Sequence, residues 1–550
     1  MAKFYYSILF VILITLTGTS QSTWDLIYTD MQTSCASSSC HSNTAISSLN
    51  LEGSGASAQQ SVYNNLVNVI PANSFAANKG FKRVYPGDPY RSSLFRKVCD
   101  DLDDFVELDA AEGSIMPPAG GLDAKQKELI RQWILFGAPE TGTVADTAII
   151  SDYYNGNGVD GVPNPIAAPS EGDGYQIKLG PFFMEPLDEV EYFLKYKIEN
   201  TDTVEVHKMD VDLGQLYSHH FITYRFRNQG ESGQPAGIPN NYNDGLRLDN
   251  AHNDVTFVTA NQSSSTIDLP DGTGFRWLPE TVLDLNSHYI NYDQNKILKA
   301  ENYINIYTQE SGTAVQLMET DLYVNPSIAI PANGQDIQFT DNIVGSSADK
   351  AYYWMLTSHT HQLGQDFDVY LADSQGNADD QIFDAEYMDG DPNGVFIGYD
   401  YQHPPVRYWE YPFLEVQKNI GFVQVATYNN NTGQIVFWGD TSDDEMMITM
   451  AMYVNDTTGL GIFENTTIDS HHSLGNFQLF PNPANDFIFI AGTPNKVCSI
   501  NLINVLGEIV LKQNLDSNQE IIDASSLVSG VYFYTISSNK NIQSGKLIIK

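Results

Sequence analysis

Short runs in which apolar and polar residues alternate fill the chain from about 175 to 465. They include EVEYFLKYKI at 189–198, FITYRF at 221–226, TVLDLNSHYINY at 281–292, FDVYLA at 367–372 and GFVQVATY at 421–428. A period of two marks strands with one covered face, and Gly, Pro, Asn and Asp between the runs mark turns. The run MMITMAMYV at 446–454 is more continuously apolar. Its Met446, Ile448, Met450 and Met452 share a face, and the ordinary reading of such a stripe is core. A second set of runs, FIFIAG, SINLIN, GVYFYTIS and GKLIIK, predicts a separate small β unit near the C-terminus. Helical spacing appears at 123–136, DAKQKELIRQWILF, where Leu129, Ile130, Trp133 and Ile134 fall on one face and Gly137 can end the helix.

The pattern divides the chain into an export signal at 1–22, a unit at 23–145, a linker at 146–174, β domains at 175–310 and 311–465, and a C-terminal unit at 473–550. Lys3 and the apolar stretch at 7–16 carry the signal reading, and that stretch is too short for a membrane-spanning helix. The Gly/Pro/Asn-rich segment 155–174 favours loop over strand. The fold class expected is mainly β: two jelly-roll or β-sandwich domains, a small α-helical domain before them and a small β-sandwich after them.

Charge narrows the partners. The chain has 68 acidic and 28 basic residues, a formal net charge of −40, yet only 17 % of it is charged. The imbalance is a shortage of Lys and Arg. Such a surface repels nucleic acid and anionic membranes, so neither nucleic-acid binding nor membrane insertion is expected.

The candidate chemistry lies in the histidines, of which there are 11. His359 and His361 stand two apart, and in a strand they would share a face. His219 and His220 are adjacent, so one metal could take both only at a bulge or strand end. His288 shares a polar face with Asp284 and Asn286. Imidazole combined with a thioether suits copper, since the soft sulfur favours Cu(I). His207, His252 and His403 lack matching partners, and His471-His472 fall in a linker-like stretch.

Four motifs in order, YSHHF, NSHYIN, SHTHQLG and GDTSDDEMM, resemble those of the copper type II, ascorbate-dependent monooxygenases, the family of peptidylglycine hydroxylating and dopamine β-monooxygenases. The resemblance covers about 175–460. It implies two copper ions: His219, His220 and His288 hold an electron-storing copper, and His359, His361 and Met446 hold the copper that meets O₂ and substrate. It also implies a solvent-filled cleft between the two copper domains. The reaction implied is hydroxylation of an activated C–H of a small molecule or peptide, with electrons from an external reductant such as ascorbate or a redox partner. Two departures bear on substrate: Thr357 stands where the amidating enzymes have Arg and Met450 where they have Tyr, which argues against peptide amidation. A third bears on stability: Met447 stands where the animal enzymes have a disulfide-forming Cys, so packing must hold these domains together.

Upstream, Cys35 and Cys40 are followed by His41, a spacing two residues longer than the haem-attachment pattern CxxCH. By themselves these residues read as a Cys35–Cys40 disulfide as readily as a haem site. RVYPGDPYRSSLFRKV and SIMPPAGGLDAKQKELIRQWILFGA resemble cytochrome c-like domains of secreted bacterial proteins. That resemblance implies haem c on Cys35, Cys40 and His41 with Met116 as the further axial ligand. The rival is a haem-free relic. Cys99 reads as a buried free thiol. A tethered haem would raise the local donor concentration for the three-histidine copper.

FQLFPNPANDFIFIAG, NVLGEIV, IDASSLVSGVYFYTI and the closing GKLIIK resemble the sorting domain of the type IX secretion system. This implies export across the outer membrane of a Bacteroidetes-type bacterium, with the secretion machinery as partner. The expectation is a secreted copper monooxygenase. The alternative is a non-catalytic copper/haem electron-transfer or copper-binding protein.

Overall fold

The computed structural model describes residues 21–42, 49–53, 55–99, 102–118, 121–198, 200–214, 218–226, 245–248, 255–261, 264–439 and 443–461. In the C-terminal unit it describes 478–480, 484, 487–491, 498–504, 509–515, 521–525, 527–538 and 541–549. The chain is mainly β, with several largely antiparallel sheets and a small helical region at the N-terminus. Most of the signal reading, and the histidines His252, His471 and His472, lie outside the described residues. No helix among the described residues is long and apolar enough to cross a membrane.

Two helices anchor the N-terminal region, each opened by a capping box. Thr23–Ser34 opens with a capping box between Ser22 and Asp25. Ala124–Leu135 opens with one between Asp123 and Gln126, and Phe136 caps its end. Gly137 follows at φ 89°, the left-handed conformation that stops a helix. Trp24 stacks on Trp133 with ring centroids 5.1 Å apart, and both are fully buried.

This helical region packs directly onto the strands that follow. Gln132 donates to the Pro181 carbonyl (2.7 Å) and Tyr90 to that of Gly180 (2.7 Å). Between them lies a buried ionic network. Arg131 pairs with Asp103 and Glu128, and Lys178 pairs with Asp103 (2.8 Å) and Glu301 (2.9 Å). The connector is more ordered than its composition suggests. It contains the helix Thr147–Asp152 and the short strand Gly158–Asp160, which runs parallel to Ile297–Glu310. Pairing with a long buried strand overrides the local preference for loop.

In the first β region one sheet joins Gly174–Met184, Ile297–Glu310, Val204–Asp212 and Thr273–Trp277, with shorter strands beside them. The other has the order Glu189–Lys197, Val282–Ile290, Ser218–Phe226, Val255–Asn261. Ile177, Leu179 and Ile304 of the first and Phe221, Phe257 and Leu285 of the second meet in one core.

The second β region is also built of two main sheets. Glu319–Val324, Ile448–Val454 and Lys350–His359 form one, with Val406–Tyr408 and Leu414–Gln417 both pairing onto Lys350–His359. Asp336–Ile343, Phe422–Asn429, Gly364–Ala372 and Ala378–Asp384 form the other. The methionine stripe explains how the two regions join. Ile448, Met450 and Met452 enter the core of the first region, whereas Met447 and Ala451 enter that of the second. A strand covered on both faces carries no polar side, which is why 446–454 reads as a nearly unbroken apolar run.

The C-terminal unit, 461–550 with 387–397, is compact on its own. A three-stranded and a four-stranded antiparallel sheet enclose Leu479, Ile488, Ile500, Leu502, Ile536 and Leu547.

Candidate metal centre

The strand Ser218–Phe226 carries a register shift between Ser218 and His220, so His219 is the inserted residue of a bulge. This is the backbone irregularity that two adjacent histidines require to serve one metal. The side chain of His219 lies outside the described residues. Past the bulge, His220 stands directly opposite His288, and His288 stands opposite Glu191 on its other side. The three residues form a row across neighbouring strands. The His220 and His288 rings are 4.8 Å apart and nearly perpendicular, at 82°.

Polar neighbours fix this row. Asn286 is 1 % exposed; its Oδ1 lies 3.0 Å from His220 Nε2, and its Nδ2 donates to Glu191 Oε1 at 2.9 Å. Glu191 Oε1 is 3.3 Å from His220 Nε2, and Glu189 Oε1 is 2.8 Å from His288 Nε2. Asp284, on the same face, pairs with Arg247 (2.6 Å). Burial, reinforced by the neighbouring His220, holds the His288 imidazole below its ordinary pKa, so it favours the neutral form that binds metals. Burial raises the Glu191 carboxyl, but the bonds and charges of His220, His288 and Asn286 outweigh it and hold it at about 2.

The second pair closes the same space. His359 ends its strand opposite Ile448, and extending that register sets position 361 opposite 446. The His359 and His361 rings are 5.2 Å apart. His361 Nδ1 donates to the Asp444 carbonyl (3.0 Å), and its amide donates to Glu445 Oε2 (2.9 Å). Nδ1 therefore carries the proton and Nε2 the lone pair, the tautomer a metal needs. Burial also lowers the His361 pKa. Glu445 is fully buried and collects the amides of His361, Leu363 and Met446, while burial pushes its carboxyl up to about 7. Met446 is half-buried against the core, and Tyr428 donates to its carbonyl (2.6 Å). His220 and His359 lie 6.5 Å apart, ring to ring. The two groups thus adjoin, where the resemblance led us to expect a solvent-filled cleft.

Four imidazoles from three separate strands and the loop after one of them converge beside a thioether segment, a donor set that fits copper. Thr357, Met447 and Met450, the departures from the amidating pattern, are all buried. Thr357 donates to the Pro405 carbonyl (2.8 Å). Just after His361, Gln362 and Leu363 line a hollow with Gln365, Asn429, Asn431 and Thr432, walls that offer amides and a hydroxyl. His403 is exposed and pairs with Asp400 (2.8 Å), away from this cluster in its bonding.

In the N-terminal region Cys35 and Cys40 are free thiols, so the disulfide alternative does not hold in this structure. Cys35 caps the end of the first helix and Cys40 lies in the turn that follows; burial raises the Cys35 thiol to about 11. His41 Nδ1 donates to the Leu49 carbonyl (3.0 Å), which leaves Nε2 as the basic nitrogen. Met116 is 38 % exposed, and the loop after it returns to the helix through the Ser34–Gly121 hydrogen bond (3.1 Å). These residues fit covalent haem in chemistry: two thiols, a correctly tautomeric imidazole and an accessible thioether. Cys99 is buried and free.

Glu189, Glu191, Asn286 and Glu445 were not singled out from the sequence. Glu189 and Glu191 alternate on one strand face, a visible signal, but only the long-range pairing with Val282–Ile290 turns that face toward the histidines. Glu445 hides in the acidic run TSDDE.

Comparison with known proteins bears on the C-terminus. Residues 478–550 match the family model described as a secretion system C-terminal sorting domain. The chain carries an export address. The sorting domain directs the protein to the cell surface or medium through the type IX machinery of a Bacteroidetes-type bacterium. No curated protein matches the chain. Among solved structures it is similar to a Faecalibacterium prausnitzii β-glucuronidase at 9 % identity, over 64 % of this chain and 47 % of that one, with a TM-score of 0.17. A Parabacteroides distasonis β-1,2-glucanase gives 10 %, 42 %, 36 % and 0.13. A Ruminococcus gnavus β-glucuronidase in complex with D-glucuronic acid gives 10 %, 64 %, 47 % and 0.17. The chain spans less than half the length of these structures, and likeness at this level carries no functional weight.

Proposed function

We propose that this exported protein is a copper-dependent monooxygenase whose two β regions are the paired jelly-roll domains of the copper type II family. The observation that carries the reading is the convergence of His220, His288, His359 and His361, with ring separations of 4.8, 6.5 and 5.2 Å, from segments distant in sequence. Copper bound there would supply one-electron chemistry with O₂.

The chain's own residues do the rest. His220, His288 and the bulged His219 are the storage set. His359, His361 and Met446 are the oxygen-facing set, with the Asp444 carbonyl and Glu445 holding the His361 ring and its loop. The hollow beginning at Gln362 would hold a neutral, hydrogen-bonding part of the substrate. Cys35, Cys40, His41 and Met116 would carry haem c in a cytochrome c-like domain. Its docking on the first β region through Asp103, Arg131 and Lys178 supports electron entry from a fixed position.

The test is oxygen uptake. Protein loaded with copper under anaerobic conditions and reduced with ascorbate should show substrate-dependent O₂ consumption, one O₂ per C–H hydroxylated, with one oxygen atom in the product and the other leaving as water. Met446→Ile should stop that consumption and keep the storage copper. Copper binding without O₂ uptake in the wild type would favour the electron-carrier reading instead.

A further inference from the structure

We propose that Glu191 supplies a carboxylate ligand to the metal held by His220 and His288, so that this centre is a mixed imidazole–carboxylate site. The inference rests on the copper reading above and adds a ligand to it.

Three observations carry the assignment. First, Glu191, His288 and His220 occupy one cross-strand row, and side chains in such a row stand about 4.5–5.5 Å apart at Cβ. Second, one ligand atom from each of the three lies within 4.8 Å of the others, close enough to be gathered onto a single ion. Third, the carboxylate is oriented in advance. Asn286, itself buried, donates to Glu191 Oε1 (2.9 Å), which lies 3.3 Å from His220 Nε2, while the Asn286 Oδ1 lies 3.0 Å from that same nitrogen. Glu189 serves as a contrast. It meets His288 Nε2 at 2.8 Å, but its side chain is 45 % exposed and it falls outside the three-atom group.

A carboxylate among imidazoles has a definite electronic consequence. An anionic, hard oxygen donor stabilises the more highly charged oxidised ion, whereas a thioether stabilises the reduced one. Glu191 therefore lowers the reduction potential of the His220–His288 centre, while Met446 raises that of its neighbour. The difference favours electron flow toward the Met446 side.

The experiment uses the full chain carrying His361→Ala, which disables the second centre, with and without Glu191→Gln. Affinities for Cu(II) and Cu(I) are measured by chelator competition, and the potential by spectroelectrochemistry. We expect Glu191→Gln to weaken Cu(II) by at least about tenfold, since even outer-shell partners of metal ligands are worth that much. Cu(I) affinity should change less than about twofold, so the potential rises by about 59 mV per tenfold. Glu189→Gln, which alters only the hydrogen bond that holds the His288 ring, should weaken Cu(II) and Cu(I) by similar factors and leave the potential in place. Equal weakening of both oxidation states would make Glu191 a positioning residue only, and no change in either would remove it from the site; both results overturn the proposal. Retained Cu(I) affinity also shows that the variant is folded. If the wild type takes up Fe(II) or Zn(II) here in preference to copper, with the same loss on Glu191→Gln, the copper reading fails and the Glu191 assignment stands.

Discussion

The imidazoles of His220 and His359 face each other with ring centroids 6.5 Å apart and planes at 85°, although 138 residues separate them in the chain. One belongs to the first β region and the other to the second. The contact is possible because Ile448, Met450 and Met452 sew the second region's sheet into the first region's core. The approach of the two histidine groups and the packing therefore depend on the same strand.

Electron entry is testable by rapid mixing. With protein reduced at both haem and copper, mixing with O₂ plus substrate should reoxidise the haem on the time scale of copper turnover. Cys40→Ser should lose covalently attached haem, read as a pyridine haemochrome, and should slow turnover when the haem is the electron donor. A haem that stays ferrous through turnover would remove the N-terminal region from the electron path.

The docking of the helical region depends on Asp103. Its side chain is 6 % exposed and faces Arg131 and Lys178, which are 1 % and 2 % exposed. Burial pushes the Asp103 carboxyl up, but Arg131 and Lys178 outweigh it and hold it at about 2. Removing the carboxylate leaves two buried cations short of a partner. Asp103→Ala should destabilise the protein by roughly 3–5 kcal/mol, measured by urea unfolding.

A second carboxylate group gives a pH signature. Burial first, and then neighbouring carboxylates, raise Asp366 to about 6 and Asp368 to about 7. The unfolded value is about 3.9, so the native state holds these protons more tightly. Their stabilising contribution is therefore complete below about pH 4 and is lost as pH rises through 6 to 7. Asp368→Asn keeps the shape and the Gln381 and Tyr370 neighbours. It should raise the melting temperature at pH 8 and leave it nearly unchanged at pH 4. An equal shift at both pH values would refute the assignment of the proton.

Much of this architecture was legible before the structure. The helix at 123–136 appears as Ala124–Leu135 between its Asp123 and Phe136 caps, because capping and helical spacing are local signals. Side-chain alternation required a bulge or a strand end at His219–His220 if one metal was to take both, and the structure has the bulge. What was not legible is long-range. Glu191 joins the row of His220 and His288 only through its pairing with His288, and Met450 and Met452 read as core without revealing that their core belongs to the preceding region. The strand Gly158–Asp160 formed against its composition because Ile297–Glu310 offered an open edge to pair with. Alternation reveals which residues share a face, but strand partners at large separation decide what that face meets.

The most direct test of the central claim is copper stoichiometry in paired variants of the full mature chain. After anaerobic reconstitution and removal of loosely held metal, the wild type should retain two copper ions per chain. His359→Ala/His361→Ala and His220→Ala/His288→Ala should each retain one, and the four-histidine variant none. A wild type that holds no copper, or variants that hold as much as the wild type, would contradict the account.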